Sequence, residues 1–293
     1  MTILVLIAVA LRILSNPMGN VFQKQLTSRG SNPLVVNFIT YLLLALACTP
    51  FLFSVEWPVL PITFWKYSVL AGIAGALGNG FLVKALHKGE LSVLGPINSY
   101  KSVIGIIGGI ILLSEIPGLV GIIGIALIIF GSYFVLDTTS EKFSFAIFKR
   151  SDIRYRVLAM ILTAVEAVFL KKIILSSSAT IAFFSWCFFG ALFSLILLFV
   201  YRLDLKKELF GNLNSDNIFK YPLLIICVGT MQFSTNYVFD HMQVGYALSL
   251  FQLSAIISIF FGYRFFKEKD ILKKTAGSLI MIIGSILVIL FNN

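Results

Sequence analysis

The chain has 293 residues, of which 58% are hydrophobic and 12% charged. A soluble domain carries about 25% charged residues, so this balance excludes a water-soluble globule and indicates a chain that crosses a bilayer repeatedly. The formal net charge of +10 would suggest nucleic acid in a soluble protein, but in so apolar a chain Lys and Arg gather in short loops and set orientation, so no nucleic-acid partner is expected.

A hydrocarbon core of about 30 Å takes about 20 residues of helix, and the chain offers ten such runs. The first, 3–25, lacks a basic leader and a small-residue cleavage site, and reads as a retained helix rather than a signal peptide. It carries Arg12 near mid-span and the stretch "SNPMGN", in which Asn16 and Asn20 are four apart and share a face. Pro17 removes a donor and frees a carbonyl, so a kink or opening is expected there. The second run, 33–53, opens at Pro33 and holds Asn37 and Tyr41, again four apart. "EWPVLP" separates it from the third, 65–84, where Asn79 sits between Gly78 and Gly80. After "HKGE" comes the fourth, 91–113. Asn98 lies three residues before Lys101, an ammonium about halfway along the run, at a cost of roughly 2.5 kcal/mol or more. Gly105 and Gly109 in the same run form a G-x-x-x-G, a close-packing signal. "SEIPG", with Glu115 and Pro117, leads into the fifth, 118–136.

The longest polar stretch, 137–156, follows. Beyond it lie 157–175 with Glu166, 179–201 with Trp186 in mid-helix, 221–239 with Gln232 and Asn236 four apart, 244–263 with Gln252, and 271–291. A shift of 153 residues places Glu115 on Glu268, Gly124 on Gly277, and Gly131-Ser132 on Gly284-Ser285. "NVFQKQL" (20–26) likewise resembles "VFLKKII" (168–174). Two repeats, 1–136 and 157–293, are therefore joined by a loop at 137–156. Five is odd, so tandem copies face opposite ways in the membrane. An inverted repeat is a recurring plan of secondary transporters, with the site near the midplane between the halves.

This all-α plan of ten helices in two inverted five-helix repeats resembles the drug/metabolite transporter superfamily in its EamA branch. Three features carry the resemblance: the polar "SNPMGN" first helix, the acidic residue closing the fourth helix of each half (Glu115, Glu268), and the glycine-patterned last helices (Gly121, Gly124, Gly131; Gly277, Gly284). It covers nearly the whole chain. It implies a secondary carrier with a central cavity, in a multi-pass protein of a bacterial inner membrane. It implies no single substrate, because members export amino acids, drugs and other metabolites or carry nucleotide sugars. Orientation is contested: the Lys and Arg count places the termini outside, whereas many members of the resembled family keep them inside.

Ionisable residues at depth face a bundle interior or an aqueous cavity. Arg12, Lys101 and Glu166 are such residues, and two readings stay open. Glu166 pairs structurally with Lys101 or Arg12, or these charges line a cavity and engage a charged substrate or a coupling proton. With the polar and aromatic residues of neighbouring spans they give the candidate substrate-binding set Asn16, Asn20, Asn37, Tyr41, Asn79, Asn98, Lys101, Glu166, Trp186, Gln232, Asn236 and Gln252. For each Asn or Gln alone, interhelical hydrogen bonding is the competing role.

Lys101 suits a carboxylate and Glu166 an ammonium, so the expected cargo is a small, amino-acid-like metabolite moved by alternating access. The alternative within transport is proton-coupled export of cationic, drug-like compounds, with Glu166 alternating between proton and substrate. Outside transport, the alternative is a receptor or assembly subunit. Cys48, Cys187 and Cys227 lack metal spacing and read as packing residues. His87 and His241 lie near loops. Walker A, H-E-x-x-H and G-x-S-x-G patterns are missing, so neither an enzyme nor a cofactor or metal is expected. The expected partners are a small-molecule substrate, the lipid bilayer, and a coupling proton or exchanged solute, in a monomer or homodimer.

Overall fold

In the computed structural model, which describes residues 2–101, 103, 118–139, 145–203 and 218–290, helices and short turns carry the chain and no strand is present among the described residues. Helix α1 (Ile3–Ser28) starts under a Thr2 cap, whose hydroxyl accepts from the Val5 amide, and runs uninterrupted past the buried Pro17. Gly30, at φ 100°, turns the chain back. Asn32 then caps α2 (Pro33–Cys48), accepting from the Leu34 amide at 3.0 Å with Pro33 in the first turn. A 3₁₀ turn, Thr49–Ser54, continues α2 outward.

The remaining helices are α3 (Ile62–Lys88), α4 (Leu91–Leu94), α5 (Leu119–Leu136), α6 (Ser151–Ser176), α7 (Ala179–Val200), α8 (Lys220–His241), α9 (Val244–Phe251), α10 (Ser254–Phe266) and α11 (Ile271–Leu290). Among the described residues, eight segments are long and apolar enough to cross a membrane: α1, α2 with its turn, α3, α5, α7, α8, α9 together with α10, and α11. With 26 residues α6 has the length, but Asp152, Arg154, Arg156, Glu166, Lys171 and Lys172 make it charge-rich. The later part of the fourth expected span, with Gly105 and Gly109, and the Glu115 that follows it lie outside the described residues.

Three boundaries differ from the hydropathy pattern. Helix α6 begins at Ser151, inside the stretch expected to be loop up to 156. Hydropathy assigns charged residues to water, yet Asp152 is 4% and Arg156 8% exposed. The fourth span is interrupted where Pro96, lacking an amide hydrogen, ends α4 and starts a 3₁₀ turn, Pro96–Tyr100. The ninth, expected to be continuous over 244–263, breaks at Gln252-Leu253 between α9 and α10. Under the 153-residue shift Gln252 falls on Ser99, so both breaks occupy matching places in the two halves.

The packing exchanges partners between the halves. Helix α1 packs on α8, and α6 on α3, so each half's first helix lies on the other's third. Helix α2 packs on α7, and α5 on α11. At the α5–α11 crossing a Cβ on Gly131 would lie 2.6 Å from the Gly277 carbonyl oxygen, and one on Gly124 would lie 2.7 Å from that of Gly284. The repeated glycines are there because two backbones touch, the usual basis of tight crossings in lipid. Lys24 and Lys171, from the two similar heptapeptides, each donate into carbonyls at the end of their own half's third helix: Lys24 to Gly89, Lys171 to Phe239 and Met242. Cations at a helix C-terminus are favourable.

The surface is apolar: Ile122, Phe130, Ile196, Phe199 and Ile283 point outward. Polar residues gather inside instead, which is the pattern a bilayer imposes.

Candidate functional site

Between α1, α3, α6, α8 and the two broken spans lies a cavity of about 100 Å3. Each helix contributes residues at helical spacing. Helix α1 gives Arg12, Asn16 and Asn20; α6 gives Arg156, Ala159, Thr163, Glu166 and Leu170; α8 gives Gln232, Thr235 and Phe239. Asn79 enters from α3, Asn98 and Lys101 from the fourth span, and Ser254 and Ser258 from α10. A smaller chamber of about 30 Å3 adjoins it and shares Asn16, Asn20 and Asn79. Asn37, Tyr41 and Trp186 line this second chamber.

The broken spans explain the local chemistry. Asn98 donates its amide to the Gly95 carbonyl, which leaves the Leu94 carbonyl without its helical partner. Arg156 fills that gap: Nε donates to the Leu94 oxygen at 2.7 Å, and Nη2 to Asn98 Oδ1 at 3.0 Å. Gln252 Nε2 donates to the Asn98 backbone oxygen at 3.4 Å, so the breaks of the two halves touch. A buried carbonyl without a donor is costly, which accounts for an arginine this deep.

Glu166 is 6% exposed. Its Oε1 accepts from Trp186 Nε1 at 2.7 Å. Gly75 on α3 lies so close that any Cβ would collide with that carboxylate. Next to it Tyr41 packs on Trp186, with ring centroids 4.6 Å apart, and its hydroxyl accepts from Asn79 Nδ2 at 2.6 Å. Arg12 donates from Nε to Thr235 Oγ1 at 3.2 Å and lies 4.6 Å from the centroid of the Phe251 ring. Lys101 lines the cavity and, among the described residues, makes neither a hydrogen bond nor an ion pair. The direct Lys101–Glu166 pair considered from sequence is not formed.

Of the twelve candidates, ten line one or both chambers. Asn236 and Gln252 do not. Asn236, fully buried, donates to the Ala179 carbonyl at 3.3 Å and accepts from Gln232 at 2.9 Å, which is the interhelical role. Gln252 braces Asn98 from behind. Two cavity cations were missing from the set. Arg12 was noted as a mid-span charge. Arg156 was assigned to a loop, although the stripe 156, 159, 163, 166, 170 continues the α6 helical face back through it.

A separate cluster ties α1, α4 and the α10–α11 turn together, at the end where α1, α3 and α10 finish. Glu268 Oε1 accepts from Leu91 N at 2.8 Å and Lys24 Nζ at 3.0 Å. Its Oε2 accepts from Ser92 N at 2.9 Å and from the Ser92 hydroxyl. Lys274, 1% exposed, reaches Glu90 and Ser92 Oγ. Burial alone would raise the Glu268 carboxyl, but Lys24 and the Ser92 hydroxyl and amide outweigh it and hold it below the usual carboxylate value.

A family model described as the EamA-like transporter family matches residues 3–137 and 153–290. No curated protein matches the chain. A solved structure titled only as the crystal structure of a protein aligns with a TM-score of 0.65 over 97% of each chain, at 12% identity, and this likeness concerns the fold alone. Apolar spans, two matched segments and a polar cavity at their meeting point together place this chain in the EamA-like transporter family, as a multi-pass membrane protein.

Proposed function

We propose that the protein is a secondary active transporter that moves a small polar or charged metabolite, of amino-acid size, by alternating access between two inverted five-helix repeats, 1–136 and 157–293. The observation that carries this reading is the meeting of two interrupted spans, one from each half, at a buried polar cavity. Non-helical backbone at membrane depth persists where it is buried in protein or lines a cavity, and matched broken helices mark the site in inverted-repeat carriers. The partner exchange of α1, α3, α6 and α8 supports the inverted arrangement. Lys101 serves an acidic group of the cargo and Glu166 a basic one, with a proton or a second solute providing the coupling. A bacterial inner membrane is the proposed location.

The test is flux. Purified protein in sealed lipid vesicles accumulates or exchanges a labelled polar metabolite above protein-free vesicles, and Glu166→Gln reduces that flux. A purified protein that binds such a metabolite, but moves it across no vesicle under any imposed proton or solute gradient, belongs to the receptor class instead.

A further inference from the structure

The cavity holds three cations and one described carboxylate. Arg12, Lys101 and Arg156 line it, and of the described acidic residues only Glu166 does. Glu90, Asp137, Asp152 and Glu268 are paired elsewhere, with Lys274, Lys273, Arg150 and Lys24. Among the described residues, none of the three cavity cations has a carboxylate partner within ion-pair distance. Arg156 spends its donors on a carbonyl and an amide oxygen. Arg12 keeps Nη1 out of water and without a partner. Lys101 is unpaired among the described residues. Unpaired charge away from water is strongly unfavourable, and the excess of two positive charges among the described lining residues is one that an anion from outside would offset.

We propose that the cavity binds a small organic dianion, whose carboxylates or phosphate ester sit between Lys101, Arg156 and Arg12. This narrows the transport reading, with Glu166 offsetting one of the three cations instead of meeting a basic group on the cargo, and rests on that reading for movement, though not for binding. Two negative charges match the excess; a dicarboxylate carries two, and a phosphate monoester about −1.5 to −2 at neutral pH. Asn16, Asn79 and Gln232 add neutral hydrogen-bonding capacity for hydroxyls on the same molecule. A cationic cargo would face three like charges against one carboxylate that already accepts from Trp186.

The test uses full-length purified protein with four probes: succinate, glycerol 3-phosphate, lysine and xylitol. Thermal midpoints are read with each probe, followed by flux into vesicles. Succinate or glycerol 3-phosphate raises the midpoint, and lysine and xylitol at equal concentration do not. A response to succinate alone assigns carboxylates, and a response to glycerol 3-phosphate alone assigns a phosphate head. Lys101→Met weakens the dianion by at least ~30-fold, while its midpoint without ligand stays equal to or rises above the parent's, because an unpaired buried charge is gone. A lowered ligand-free midpoint with unchanged dianion affinity would mean Lys101 is structural and overturn the assignment. A response to lysine or xylitol with none to either dianion overturns the inference and leaves transport standing. Dianion binding without flux upholds the inference and overturns the transport reading. No response to either dianion, by midpoint or flux, also overturns the inference.

Discussion

Replacing Glu268 with Gln keeps its shape and removes its charge, and the structure sets the size of the effect. The carboxylate accepts from Leu91 N, Ser92 N, the Ser92 hydroxyl and Lys24 Nζ. A glutamine offers one oxygen. With that oxygen kept toward Leu91 and Lys24, its amide group faces the Ser92 amide, donor against donor. Leaving a buried donor unpaired costs about 1–3 kcal/mol, and breaking a buried ion pair from one side about 3–5 kcal/mol. Lys24 retains the Gly89 carbonyl and the Phe266 ring, 4.5 Å away, so the combined loss is set near the low end, about 3 kcal/mol. For a chain this size that is a fall of roughly 6 °C in unfolding midpoint, readable in detergent by tryptophan fluorescence. A Lys24→Met, Glu268→Gln cycle should show a coupling of at least about 1 kcal/mol. The pH dependence has a fixed sign. The folded carboxyl lies below its unfolded value of about 4.3, so its stabilisation is complete above that value and is lost as pH falls through the lower folded value. The gap between parent and Glu268→Gln is therefore widest near neutral pH and closes under acid. A fall under about 2 °C, additive single variants, or a gap that widens in acid would refute the reasoning.

Three further outcomes follow from named contacts. Gly131→Leu forces α5 off α11, because even a Cβ meets the Gly277 carbonyl oxygen at 2.6 Å; size-exclusion chromatography should show loss of monodisperse protein, and a normal profile would contradict the crossing. Gly190→Ala drives a methyl into the Tyr41 ring and displaces it from Asn79, lowering the midpoint by several degrees, whereas an unchanged midpoint would show that the ring has room to move. Asn236→Ala leaves the Ala179 carbonyl and Gln232 short of partners; it should cost about 1–3 kcal/mol of stability with an unchanged substrate preference, and an altered preference would return Asn236 to the site.

The scaffold was legible because it is written in apolar runs, their Pro and Gly breaks and a 153-residue repeat. Glycines that seem redundant in sequence turned out to mark the α5–α11 backbone contact. The charges were harder to read. Arg156 follows Arg154 and Asp152, a cluster that hydropathy assigns to water, and only its spacing to Thr163 and Glu166 shows that it continues a helical face. Hydropathy averaged over a span hides the broken ones: Pro96 and the polar Asn98 and Lys101 are carried by the apolar run that follows them, and Gln252 stands between Phe251 and Leu253. Gln252 and Asn236 look like cavity residues in one dimension; burial and partners assign them to packing.

The repeat explains why the scaffold was easier to find than the site. Two similar halves must build the same helix contacts, so glycine crossings and helix-end lysines recur at matched positions. A metabolite has no such symmetry. Shifted by 153, Lys101 falls on Ser254, which lines the same cavity without a charge. In the first helices the match of Val21-Phe22 and Lys24 with Val168-Phe169 and Lys171 sets a shift of 147, which puts Glu166 on Gly19, Arg12 on Ala159 and Arg156 on Val9, all uncharged. Every charge in the cavity has thus been added on one side of the repeat. On the transport reading proposed above, a pseudo-symmetric frame holding an asymmetric set of charges rocks between two states while presenting one fixed orientation to its cargo. On that reading, the charged residues without a repeat mate are the ones that define what is carried.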